Sequence, residues 1–317
     1  MGTNSSTLQL QKRQLPTVHC GDKVSIKRAD QVGTFIRTCT LGFAVKRVRG
    51  KEISKFNHGY LTLADCITNP PRRGGQARTE GYSFDVMYGS QDLVIGKTSN
   101  SQANVKYDPI KNLDYVTIKI TEPKVWDNSE SMGISSNDLN RPPLIRTLES
   151  IVPPSRSTVC YSGSYSGLVC GELVLTNNEA TRVNPWSALR QTEYFFHVSV
   201  VGLRFPPYFP IFNRAAEDYG APVFVPVYNQ CEEPKQIIAA HPVGLLLSNR
   251  PLMPLVDLAK IKAILNPAGT EIVVPMFVGY FSYQPLKGIL ENEPNLDLLI
   301  SPQQPNLAER GCNLRQN

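Results

Sequence analysis

Long apolar runs are missing from this sequence. No stretch approaches the ~18 consecutive apolar residues of a membrane-crossing helix, so no span of that kind is expected. Histidine is scarce, with four in 317 residues, and none of the seven cysteines stands in a CxxC pair. Zinc sites draw on those ligands at short spacings, so no metal is expected, and nothing in the pattern calls for a cofactor. Charged residues make up only 19%, against 41% apolar, the balance of a chain that buries a core rather than staying disordered. The opening residues MGTNSSTLQLQKRQ hold no apolar signal-peptide core. They match a short myristoylation pattern, Gly2 followed by Ser6, but residues 1–15 are read first as a disordered polar segment.

Proline and glycine are plentiful, at 25 and 22, and spread along the chain, which favours many turns and short strands. From Val18 onward the text is short alternating apolar runs. They include GFAVKRV, GYLTLADC, DYVTIKI, LVCGELVL, YFFHVSVVGLRF, APVFVPVY and PVGLLLS. Their β-branched and aromatic content and their length predict antiparallel strands in a sandwich or barrel. Residues 68–82 and 122–157 read as long loops, and 285–317 as a polar tail. One helix is expected in PLVDLAKIKAIL, where Leu255, Leu258, Ile261, Ile264 and Leu265 share a face and Pro254 opens the first turn. TEIVVPMFVGYFSY then reads as a further strand.

The net charge is +6, with Lys and Arg scattered. A nucleic-acid groove calls for a denser basic stripe with interleaved aromatics, so nucleic acid is not the expected partner. A polyanion-binding surface is the narrower reading of the same charge. Cys160 and Cys170 bracket YSGSYSGLV, a natural hairpin tip, and Cys39 and Cys66 fall on two neighbouring predicted strands. If both pairs close, chain entropy contributes roughly 3 kcal/mol each. Disulfides point to an extracellular, oxidising compartment, in tension with the missing signal peptide. Cys20, Cys231 and Cys312 are left without an assigned pairing.

Several blocks, in order, resemble the chymotrypsin-fold (trypsin-like) serine proteases, most closely their streptogrisin and α-lytic branch. CTLGFAV at Cys39 is similar to the branch's CSLGF strand. GYLTLADC is similar to GFLTAGHC, the strand that delivers the catalytic histidine beside a disulfide. NLDYVTIKI at Asp114 resembles the strand of the catalytic aspartate. VCYSGSYSGLVCGELV resembles the disulfide-closed hairpin VCRSGSTTGWHCGTI, and EDYGAPVF at Asp218 resembles the nucleophile turn GDSGGPVF. PVGLLLSN stands where the pocket strand belongs, and the helix from Pro254 is similar to the family's C-terminal helix. The resemblance implies an all-β fold of two six-stranded antiparallel β-barrels, with a C-terminal helix and a C-terminal extension. The protease-like domain would span 16–275, its barrels about 16–150 and 151–275, with 276–317 a C-terminal strand and tail. It also implies the Cys39–Cys66 and Cys160–Cys170 pairings.

The departures from the family fall on the chemistry. Asp65 stands at the position of the general-base histidine and Tyr219 at that of the nucleophilic serine. Asp114 keeps the orienting aspartate. Glu217 replaces the glycine of the oxyanion hole, Arg250 stands at the pocket rim, and the bracing cysteine expected near Asn213 is absent. An aspartate has an unperturbed pKa of ~3.9 against ~6.5 for histidine, and no N–H for Asp114 to hold. A tyrosine phenol ionises near pH ~10 and its ring fills the space of a substrate carbonyl. Glu217 would set negative charge beside a developing oxyanion. Two carboxylates side by side would drive one to take up a proton. His58 lies seven residues before Asp65, over ~20 Å along a strand, and so offers no substitute base. His241 lies near the pocket strand and is read as a surface strand-end residue. SGSYSG has the form of a nucleophile elbow, but its central position is Tyr165. The resemblance and its departures together imply an inactive homologue that binds a protein or peptide ligand. The alternatives are a hydrolase using other residues and a polyanion-binding module.

Overall fold

The computed structural model describes residues 15–29, 35–47, 58–67, 82–89, 93–99, 104–108, 113–128, 130–135, 144–145, 153, 157–183, 192–203, 218–228, 237–251 and 278–300. The first half holds β1 Lys23–Arg28, β2 Phe35–Thr40, β3 Ala44–Arg47, β4 His58–Thr62, β5 Ser83–Tyr88, β6 Val94–Ser99, β7 Val105–Asp108 and β8 Leu113–Ile120. A short strand β9, Leu144–Ile145, precedes the second half. There follow β10 Thr158–Gly163, β11 Gly167–Val183, β12 Thr192–Leu203, β13 Pro222–Tyr228, β14 Ile237–Pro251 and β15 Val278–Pro285. The described chain closes with helix α1, Leu286–Asn292, and strand β16, Leu296–Leu298.

Both halves are closed rings. In the first, β1 pairs with β2 and β5, and the ladder continues through β6, β8, β4 and β3. β2 and β3 are one strand bent at residues 41–43: the Gly42 N–H donates to the Leu61 carbonyl and the Leu61 N–H to the Phe43 carbonyl. The ring therefore has six staves. In the second, β13, β10, β11, β12, β15 and β14 follow one another, and β14 pairs back to β13. Every pairing within the two rings is antiparallel. This is the double barrel that the resemblance implies. Closure removes exposed edges, which short strands of this kind otherwise present to solvent.

Alternation fills the barrels. In β1 Val24 and Ile26 point inward, and in β8 Ile118 and Ile120 do so on either side of exposed Lys119. One core gathers Ile26, Phe43, Leu61, Val86, Ile95 and Ile118 in the first barrel. It runs on across the junction to Phe224, Leu245 and Leu247 of the second. A separate cluster of Val159, Tyr161, Val223, Leu246, Phe281 and Tyr283 fills the second barrel. Each fully buried aliphatic or aromatic side chain contributes about 1.5–3 kcal/mol of transfer free energy.

Three expectations need correcting. The second barrel does not end at residue 275: β15 pairs with both β12 and β14 and completes the ring. The 285–317 stretch is not simply a tail, since α1 buries Leu286 and Ile289 and β16 adds a strand to β3. The helix that follows the last barrel strand is accordingly α1; the expected helix at 254–265 lies outside the described residues. The 122–157 stretch is only partly loop. Residues 125–128 and 130–135 run alongside the N-terminal segment, with Val18 N–H bonded to the Val125 carbonyl and Cys20 N–H to the Gly133 carbonyl. Residues 1–14 lie outside the described residues.

Candidate functional site

Two covalent staples hold the elements around the junction. Cys39 on β2 is joined to Cys66, with Cα atoms 6.0 Å apart. Cys66 ends a one-turn 3-10 helix, Ala64–Cys66, that follows β4 and carries Asp65 at its centre. Cys160 and Cys170 face each other across the β10–β11 ladder and are also joined, with Cα atoms 4.0 Å apart. Cys20 is a buried free thiol, and desolvation pushes its pKa up to about 12. Cys231 and Cys312 lie outside the described residues.

The 218–220 turn enters the junction from the other barrel. Gly220 has φ +85°, and a Cβ there would collide with Thr62 Oγ1, so the turn requires glycine. The Gly220 N–H donates to the Leu246 carbonyl at 2.9 Å, and the Thr40 N–H to the Tyr219 carbonyl at 3.5 Å. That carbonyl also lies 4.0 Å from Cys66 Sγ, beside the first disulfide.

Asp65 and Tyr219 meet a residue that motif reasoning missed. Arg37, on β2, donates from Nη1 to the Asp65 carbonyl at 2.8 Å and pairs with its carboxylate at 3.4 Å. The same guanidinium sits 5.9 Å from the centre of the Tyr219 ring, within the range of a cation–π contact. The Asp65 carboxylate thus has a cation beside it. With the two side chains 26% and 32% exposed, such a pair contributes no more than about 1 kcal/mol. A signal for Arg37 was present. Residues two apart on a strand share a face, so the residue two before Cys39 belongs on the side that meets Cys66 and its neighbour.

Asp114 is 2% exposed on β8, opposite Tyr107 of β7, and its N–H donates to Gln284 Oε1 at 3.2 Å. Gln284 lies on β15, so this bond ties the first barrel to the second. The 3-10 turn of Asp65 packs against β2, β7 and β8. Glu217 lies outside the described residues. Arg250 stands opposite Tyr280 in the β14–β15 ladder, and its side chain is outside the described set.

Asp218, next to Tyr219, is fully buried. Its carboxylate accepts the Tyr165 N–H at 2.8 Å, the Ser166 N–H at 3.3 Å and the Ser166 hydroxyl. A Cβ on Gly163 would strike that carboxylate. On the other flank, Ser164 N–H reaches Thr40 Oγ1 at 3.1 Å, and that hydroxyl bonds Ser164 Oγ at 2.8 Å. SGSYSG is therefore a hairpin turn clamped from both barrels, with Tyr165 at its tip 52% exposed. Its serines serve as clamp partners.

The histidines fall elsewhere. His58 stacks on Trp126, ring centres 4.6 Å apart, and burial followed by the charge of Lys46 lowers its pKa. His241 is not at a strand end. It lies within β14 opposite Val225 and is half-buried. Among the described residues no helix is long and apolar enough to cross a membrane.

No family model matches the sequence. No curated protein matches it either. Among solved structures, a Nocardiopsis protease is similar at 15% identity over 89% of this chain and 98% of that one, with a TM-score of 0.46. Thermobifida fusca protease A is similar at 12% identity over 90% and 99% of the two chains, with a TM-score of 0.46. A glutamic acid-specific serine protease is similar at 12% identity over 89% and 100%, with a TM-score of 0.47. At these values the fold assignment rests on the strand pairing of the two rings.

Proposed function

We propose that this chain is a catalytically inactive homologue of a serine endopeptidase that serves as an extracellular protein-binding module. The observation that carries the reading is Arg37, paired with Asp65 at 3.4 Å and set beside the Tyr219 ring. A general base must be free to accept a proton from its nucleophile. Here the residue at the base position is a carboxylate engaged by a guanidinium, and the residue at the nucleophile position is a phenol packed against the first-barrel core. Asp114 remains buried and keeps a backbone tie to the second barrel, which suits a structural role. Losing base and nucleophile together costs on the order of a million-fold in turnover.

The test is labelling of the purified chain with a serine-directed fluorophosphonate probe, alongside a casein-cleavage assay. Neither label nor cleavage is expected. Cleavage that the probe abolishes would establish instead a hydrolase using other residues. Tyr219→Ser alone is expected to restore nothing, because Asp65 and Glu217 still stand where the base and an oxyanion-hole glycine belong.

A further inference from the structure

The outer face of the first barrel carries a row of charge that the fold does not need. Register places Lys27 opposite Asp85, Asp85 opposite Lys97, and Lys97 opposite Lys119, on the consecutive staves β1, β5, β6 and β8. Neighbouring strands lie ~4.8 Å apart, so the row runs about 14 Å across the barrel. Lys97 reaches Asp85 at 3.7 Å and is 60% exposed. Lys119 is exposed, and its two ladder partners are Lys97 and Gly59. Gly59 can carry no side chain, because a Cβ would collide with the Ile118 carbonyl. Like charges directly opposed on adjacent strands destabilise a sheet, and no acidic partner faces Lys119 in its ladder. The next positions along β5 and β6 are hydroxyls, with Ser83 opposite Ser99.

The row is basic by two charges, hydroxyl-flanked and without aromatics. Aromatic platforms are what single-stranded nucleic acids use, and lysines act as point charges without the planar fork of arginine. From this we propose that Lys27, Lys97 and Lys119 form a shallow site for a linear sulfated polysaccharide, lying across the staves of the first barrel. The anion relieves the Lys97–Lys119 repulsion, and the hydroxyls bond its sulfates. The overall charge of +6 supports its approach. The site is independent of the junction between the barrels.

The experiment measures binding of the full chain to heparin across a salt series. Wild type is expected to bind with an affinity that falls steeply with salt. Lys97→Gln with Lys119→Gln is expected to weaken binding about tenfold and to flatten the salt slope by about one to two charges. Lys287→Gln, an exposed lysine on α1 that is outside the row and paired with Glu291, is expected to leave both unchanged. If the double variant folds poorly by thermal melt, Lys119→Gln alone is expected to weaken binding about threefold. No heparin binding by wild type at low salt overturns the proposal, as does equal binding by the double variant or the single one. A single-stranded DNA of equal length bound as tightly as heparin, with the same loss in the double variant, overturns the assignment to a polysaccharide.

Discussion

Asp65 and Asp218 approach the same junction from opposite barrels, and they are held in opposite ways. Asp65 is about one-third exposed and pairs with Arg37. Asp218 is fully buried and has its carboxylate taken by two backbone N–H groups and a hydroxyl. A partly exposed pair such as Arg37–Asp65 can be replaced at little cost to the fold. Residues that shape the turn stand inside it, where every alternative collides or leaves a donor unpaired. A double barrel can therefore change its chemistry while its scaffolding keeps its form.

The strongest test of that contrast is Gly220→Ala. The new Cβ would clash with Thr62 and sit at a positive φ, and a loss of at least ~3 kcal/mol is expected in urea unfolding. An unchanged midpoint would remove the turn from the scaffolding. Next comes Asp218→Ala, which removes the acceptor of two half-buried backbone N–H groups and a hydroxyl and should cost about 1–3 kcal/mol. Amide exchange at Tyr165 and Ser166 should accelerate with it, and unaltered exchange would mean that the clamp is not held by Asp218. Arg37→Ala should cost less than ~1 kcal/mol, and the difference should fade in high salt. A cost rivalling that of Asp218→Ala would erase the distinction between the two regions.

The smallest effect belongs to His58. Its folded pKa is lowered by burial and by Lys46, so the unfolded chain binds the proton more readily. Its contribution is fully present above the unfolded value near ~6.5 and is lost as pH falls through the lower folded value. His58→Gln should flatten the pH dependence of thermal stability over that acidic window and leave its slope unchanged above pH ~7. A flattening on the alkaline side would contradict the assigned sign.

The strands were legible because alternation in runs such as DYVTIKI reports which side chains face the interior, whereas their closing into two rings was implied by the resemblance. The two disulfides were legible because their cysteines sit at matching ends of neighbouring runs. The 285–300 segment was not. Leu286 and Ile289 share one face of a helix of two turns, and a three-residue strand is too short to show a period. Arg37 belongs to no motif and enters the site only through its place on the strand of Cys39. Residues 122–128 and 130–135 read as loop because their order comes from bonds to a distant segment, which no local pattern encodes.

The pairing of β16 with β3 has a consequence for the order in which the protein is made. Leu296 stands opposite Arg47, about 250 residues earlier in the chain. At a synthesis rate of roughly 5–20 residues per second, β3 emerges tens of seconds before the strand that covers its outer side. During that interval the first barrel presents a bare strand to whatever else is in the compartment. The basic residues Lys46 and Arg47 on β3 are the kind of charge that keeps such an edge from pairing with a neighbouring chain until its own last strand arrives.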